Sequence, residues 1–357
     1  MTATELAESV HDEQAHHTHG EFIAHHFDTA EQQYDSGKLG IWLFLVTEIL
    51  FFSGLFCAYT LYRSHHPEIF VQASTFLDKR LGGINTIVLL FSSLTMALAV
   101  RSAQLVERKK VIVYLVLTMV CAAVFLGIKA VEYSHKWDEG IFVRAYFNLH
   151  EHVGHGISKY LILFSIPFLV LLVGSVIAAF TYRSLGKQHL FVFFISLAIM
   201  FGGYFLGAAG GKVYMNWKTA RDAKLVAANE DHSARPIDEH SSTDILADKH
   251  DASTANGEQK LSDSGTAGVA KAIGDVAHGP AHLDQDIGIF FSIYYCMTGL
   301  HAIHVICGMI ALSWLLYRSI LGHWRADYYG PVDYVGLYWH LVDLIWIFLF
   351  PLLYLIN

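Results

Sequence analysis

Gly299-Leu300-His301-Ala302-Ile303-His304-Val305 lies inside an apolar run at 287–317, and Tyr338-Trp339-His340-Leu341-Val342-Asp343 lies inside another at 335–356. These two stretches decide the fold. Each run is long enough to cross a bilayer as a helix, yet each carries two ionisable side chains deep within it. An ionised group at that depth costs about 2.5–3.5 kcal/mol on insertion scales, so such residues face a protein interior rather than lipid. In both stretches the polar pair is spaced i, i+3, which places its members on one side of a helix. The two helices therefore carry polar stripes meant for neighbouring helices.

Working outward, the same length and polarity recur. Spans are expected at 39–62, 82–106, 111–133, 160–183, 190–211, 287–317 and 335–356, which predicts an all-α polytopic membrane protein with seven transmembrane helices. The composition agrees, at 54% hydrophobic, 14% aromatic and only 16% charged residues. The net charge of −8 is unevenly placed: residues 1–38 hold eight acids and one Lys, and 212–286 hold thirteen acids and eight bases, so the rest of the chain is +4. No basic patch exists to meet phosphates, so nucleic acid is excluded as a partner. The four cysteines all fall in apolar runs without metal-ligand spacing and read as small hydrophobes. No cleavable signal peptide is visible in the first 38 residues, and the first span is expected to serve as its own insertion signal.

The turn Glu107-Arg108-Lys109-Lys110 carries three cations, which places it on the cytoplasmic side. Seven spans then put the N-terminus in the cytoplasm, and the C-terminus and the 212–286 segment in the periplasm. That segment is rich in Ala, Ser, Asp, Gly and His and reads as a flexible, solvated insertion, with a short helix expected at 217–230. The N-terminal tail holds His16-His17-Thr18-His19 and His25-His26, which read as a solvated tail rather than a metal site.

Glu48 stands nine residues into the first span, about 13–14 Å deep at 1.5 Å per residue. Two readings stand for it: an acid hydrogen-bonded to a neighbouring helix, or a proton-handling or lipid-gating group. His301, His304 and His340, with Glu48, Asp343 and Glu132, supply too few converging ligands for a redox metal and are expected to form an interhelical hydrogen-bond network. Glu132 follows Lys129 by three, and a snorkelling ion pair near the periplasmic boundary is expected there. Arg318 closes the sixth span with His323 just beyond, a position that suits a lipid phosphate or a topology anchor.

Five blocks carry a resemblance. They are Leu39-Gly40-Ile41-Trp42-Leu43-Phe44 running into Thr47-Glu48-Ile49-Leu50-Phe51-Phe52; Ile84-Asn85-Thr86 with Leu89-Leu90 and Ser92-Ser93; Glu132-Tyr133; and the two opening stretches, the second extended through Leu344-Ile345-Trp346. In this order they resemble subunit III of the haem–copper oxidases, most closely the cytochrome c oxidase type. The resemblance covers about 39–137 and 287–356.

It implies a non-catalytic subunit of a bacterial terminal oxidase that reduces oxygen to water and pumps protons. Such a subunit binds no haem or copper itself, these lying in partner subunits. It packs against subunit I, with subunit II and others nearby, holds structural phospholipids, and supports proton uptake. A c-type cytochrome or a cytochrome-containing respiratory complex is the implied electron source, and the bacterial inner membrane the implied location. Glu48 resembles the family's buried carboxylate on the helix facing subunit I. His301, His304, His340 and Asp343 resemble its internal polar network, and Arg318, with His323 the weaker match, its lipid-headgroup site.

The resulting organisation is an acidic tail at 1–38, subunit III-like helices at 39–137, an inserted region with two extra spans at 138–211, the acidic loop at 212–286, and subunit III-like helices at 287–357. The extra hairpin is expected to take the place of two helices that the usual family form carries ahead of its first matched span. The alternatives are subunit III of a quinol oxidase or a nitric oxide reductase accessory protein. A different class is a proton-coupled transporter, against which stands the lack of an inverted repeat or a Gly/Pro-broken helix pair.

Overall fold

A computed structural model describes residues 27–142, 158–233, 281–325 and 328–356, with side chains left aside at 227–233 and 281–286. The His-rich tail and most of the acidic loop lie outside the described residues. Eight helices are described: α1 (Ala30–His65), α2 (Pro67–Ser74), α3 (Lys79–Gln104), α4 (Arg108–Asp138), α5 (Lys159–Ser184), α6 (Gln188–Ser233), α7 (Ala281–Leu321) and α8 (Gly330–Tyr354). Seven of them, all but α2, are long and apolar enough to cross a membrane, as the sequence predicts.

The helix ends follow from local chemistry. Thr29 caps α1 by accepting the Gln32 N–H at 3.1 Å, and Asp78 caps α3 by accepting from Arg80 and Leu81. Gly322 ends α7 in the left-handed region (φ 80°): its N–H reaches the Ser319 carbonyl, and the His323 N–H reaches that of Arg318. The same double closure ends α3, but there the left-handed position is held by Val106 (φ 57°). The predicted short helix at 217–230 is instead a continuation of α6. No Gly or Pro interrupts residues 212–233, and the first Pro beyond is Pro236. The structure divides after Gly211 into one compact unit of residues 1–211 and 284–357 and a second of 212–283; in the second, Arg221 lies over Trp217 and pairs with Asp222.

Within the first unit α4 is the most enclosed span, with 61% of its most apolar stretch buried, against 11% for α1 and for α5. The interior of α3 and α8 packs polar groups face to face: Trp339 donates to Ser92 at 2.8 Å and Trp346 to Thr86 at 3.1 Å. On its other side α4 meets α6 at backbone distance. A Cβ on Gly127 would collide with the Tyr204 carbonyl, and one on Gly207 with that of Val124, so only glycine allows this approach. α5 packs directly on α4, where Trp137 meets Tyr160 at 5.4 Å and Phe164 at 5.1 Å, and also on α6, the Phe168 and Tyr204 rings stacking at 4.0 Å.

Candidate functional site

Glu48 on α1 and His304 on α7 meet as a pair, Oε2 to Nε2 at 2.9 Å, each side chain 18% exposed. The other ring nitrogen, Nδ1, is 2.8 Å from the Leu300 carbonyl one turn back on α7. A carbonyl only accepts, so Nδ1 carries a hydrogen. The contact with Glu48 then contains one proton, carried either by the ring, giving imidazolium and carboxylate, or by the acid, giving two neutral groups. Phe52 holds the imidazole edge-on at 5.1 Å, and the Tyr338 hydroxyl donates to the His304 carbonyl at 3.0 Å. The sequence named both residues, and the structure brings them together.

It does not join them to the rest of the expected network. His301 is fully buried between the rings of Phe125 (5.5 Å) and Trp346 (5.3 Å), and its nitrogens bond to no described residue. His340 bonds through Nδ1 to the Ser93 hydroxyl at 2.7 Å, and Asp343, 2% exposed, lies beside the same serine. The reason is azimuth: residues three apart on a helix differ by about 60°, enough to aim His304 at α1 while His301 enters the core.

Glu132 sits in a third place with company the sequence reading missed. Its Oε2 accepts from Lys129 at 2.9 Å, and its Oε1 from Lys136 at 2.9 Å, Tyr294 at 2.8 Å and Tyr354 at 2.6 Å. Lys129 and Lys136 are each 4% exposed. The expected snorkelling pair is thus corrected: the ammoniums turn inward, because a carboxylate, two phenols and the Trp346 face (4.6 Å from Lys129 Nζ) replace water. The signal lay in the spacing, since Lys129, Glu132 and Lys136 fall on one face of α4 at i, i+3 and i+7.

At the C-terminal end of α7, the Arg318 guanidinium lies 5.6 Å from the Trp314 ring, and its Nε is buried without a described partner. His323 follows the Gly322 turn, its N–H bonded to the Arg318 carbonyl. Arg108, in the sequence only one of the three cations of the Glu107–Lys110 turn, donates from α4 to the Ser319 carbonyl at 3.1 Å and to that of Ile320, a cation at the negative end of α7. Phe193 of α6 meets Tyr317, the neighbour of Arg318, at 5.4 Å. Among the described residues no three His, Cys, Asp or Glu side chains are placed to hold a metal.

The family model described as cytochrome c oxidase subunit III matches residues 14–193 and 280–357. The chain belongs to that family. The matched residues of this subunit III-family chain include every site residue named above, whereas the unmatched 194–279 hold most of α6 and none of the predicted site residues. Curated relatives include cytochrome c oxidase subunit 3 of Thermostichus vulcanus, 41% identical over 70 residues (19% of this chain, 35% of the relative). That of Synechocystis is 40% identical over 78 residues (21% and 34%). The heme-copper oxidase subunit I+III of Aeropyrum pernix is 40% identical over 77 residues, 21% of this chain and 9% of the relative. The chain therefore aligns with about a third or less of the length of these relatives.

Beside the Glu48 pair, this subunit III-family chain has an apolar cleft of about 300 Å³ between α1 and α8, lined by Ile49, Phe52, Phe56, Leu341, Leu344 and Phe348 among others. Its walls suit hydrocarbon and offer almost no polar group.

Proposed function

We propose that this chain is the non-catalytic subunit III of a bacterial cytochrome c oxidase. In this reading it packs through α1 against subunit I, holds phospholipid, and supports proton uptake by the catalytic partner. Haem and copper belong to the partner subunits. The observation that carries the reading is the Glu48–His304 pair on a helix left largely uncovered. A one-proton polar pair at mid-span is costly against lipid, and α1 has only 11% of its apolar stretch buried within the chain. A protein surface against α1 removes that cost. The subunit I+III relative, with both subunits named in one protein, supports a direct contact with subunit I.

Phospholipid is assigned to the Arg318 end of α7 for its headgroup, with Trp314 beside it and α6 reaching Tyr317, and to apolar grooves such as the α1–α8 cleft for acyl chains. The N-terminus is assigned to the cytoplasm, and the C-terminus and the 212–286 segment to the periplasm, of a bacterial inner membrane. Purification of the chain from its native membrane tests the whole reading. A haem-bearing partner that oxidises a c-type cytochrome and consumes oxygen is expected; a chain isolated without any haem partner would overturn it.

A further inference from the structure

The Glu132 cluster plays no part in that role, yet it combines a buried acceptor with aromatic rings leading away from it. Tyr294 and Tyr354, both buried, donate to the same carboxylate oxygen. Ring centroids then succeed one another from Trp346 to Tyr354 (6.4 Å), Tyr294 (6.3 Å), Tyr295 (5.2 Å) and Trp137 (6.3 Å), the last half-buried at the end of α4. An aromatic belt at a membrane surface would lie at one depth; this line starts in the core.

We propose that Tyr294 and Tyr354 form a proton-coupled redox site, with Glu132 as proton acceptor, that passes oxidising equivalents outward through Tyr295 to Trp137. A one-electron oxidant of the peroxyl-radical class takes an electron from Tyr294 and leaves as a peroxide anion. The phenolic O–H bond breaks, and its proton passes 2.8 Å to Glu132 Oε1, giving a neutral phenoxyl radical and a carboxylic acid. Tyr295 returns the electron and Glu132 the proton. The Tyr295 hydroxyl donates to the Ile141 carbonyl, which cannot take a proton, so the oxidised state does not rest there. Trp137 supplies the next electron, sheds its indole proton to water, and is restored by a soluble thiol- or ascorbate-class reductant.

The charges set the direction. The Lys129 ammonium is 4.6 Å from the Trp346 ring, 5.1 Å from Tyr354 and 5.5 Å from Tyr294, and a nearby cation opposes loss of an electron from a ring. Tyr295 and Trp137 have no such ammonium over their rings among the described contacts, so their rings lose an electron against less cationic opposition.

The test uses the full chain in nanodiscs with a lipid-soluble azo initiator that generates peroxyl radicals, followed by mass spectrometry of tryptophan oxidation products. Trp42, exposed on α1, is the internal reference. In the unaltered chain, products at Trp137 exceed those at Trp346, and added ascorbate suppresses them. In the chain carrying Tyr294→Phe with Tyr354→Phe, which removes two hydroxyls and keeps the rings, the Trp137 product is lost relative to Trp42. Freeze-quenched samples grown with ring-deuterated tyrosine show a narrowed phenoxyl signal by electron paramagnetic resonance in the unaltered chain, absent in the double variant. An unchanged Trp137:Trp42 ratio in the double variant, or no phenoxyl signal in the unaltered chain, overturns the proposal.

Discussion

At the scale of the residue, the chemistry of this chain lies in how few protons its buried polar groups share. Glu48 and His304 hold one between them, fixed by the Leu300 carbonyl on the far side of the imidazole. Glu48→Gln keeps a side chain of the same shape but gives up the ionisable proton. The expected outcome is normal assembly with oxidase activity that declines over many turnovers, followed as oxygen consumption during prolonged steady state. Unchanged long-term activity would refute the proton-related role. Glu132 makes a different prediction, because it neutralises two buried ammoniums at once. Glu132→Ala strands both and is expected to cost about 3–5 kcal/mol, whereas Lys136→Met leaves the Lys129–Glu132 pair intact and costs less. Thermal unfolding of the full chain in detergent ranks them, and a larger loss for Lys136→Met would contradict the assignment of Glu132 as the hub.

At the scale of the element, the spans are legible because runs of about twenty predominantly apolar residues with few charges are long enough to cross a bilayer as helices. The extent of α6 is equally written in the absence of Gly or Pro over 212–233, although the polarity change after residue 211 suggests a separate helix at 217–230. Polarity reports the edge of the bilayer and not the end of the hydrogen-bonded ladder. What the sequence could not show is azimuth against neighbours: His301 and His304 share a side of α7 and still end in different surroundings. In the sequence Arg108 is only a loop cation, and its grip on the end of α7 joins positions about two hundred apart.

Two predictions belong to elements. Val106 occupies a left-handed position that penalises a β-branched residue, so Val106→Gly is expected to stabilise the α3–α4 turn by about 1 kcal/mol, read as a raised melting temperature. Gly207 has the α4 backbone where a side chain would go, so Gly207→Leu is expected to displace α6 from α4. Faster proteolysis at the α5–α6 connection, relative to the α3–α4 turn, checks it.

At the scale of the molecule, the distribution of burial separates the faces. α1 carries a stripe at Leu39, Leu43, Val46 and Leu50, and α5 one at Leu163, Ile166, Val170 and Ile177, all exposed in the isolated chain. Both are apolar, so hydrophobicity alone cannot tell a lipid-facing surface from a subunit-facing one. The difference is what stands next to them: α1 brings Glu48 to mid-span, and no comparable group lies mid-span on α5. If α1 is the face that meets subunit I, a polar substitution there must be felt by the partner and not by the fold. Leu43→Asn with Leu50→Asn is therefore expected to leave the chain's own melting temperature unchanged while the amount of haem co-purifying with it falls. Leu163→Asn with Val170→Asn, the matched change on α5, should leave co-purifying haem as it was. The reverse pattern would move the docking face to the hairpin and leave the polar pair on α1 in need of another cover.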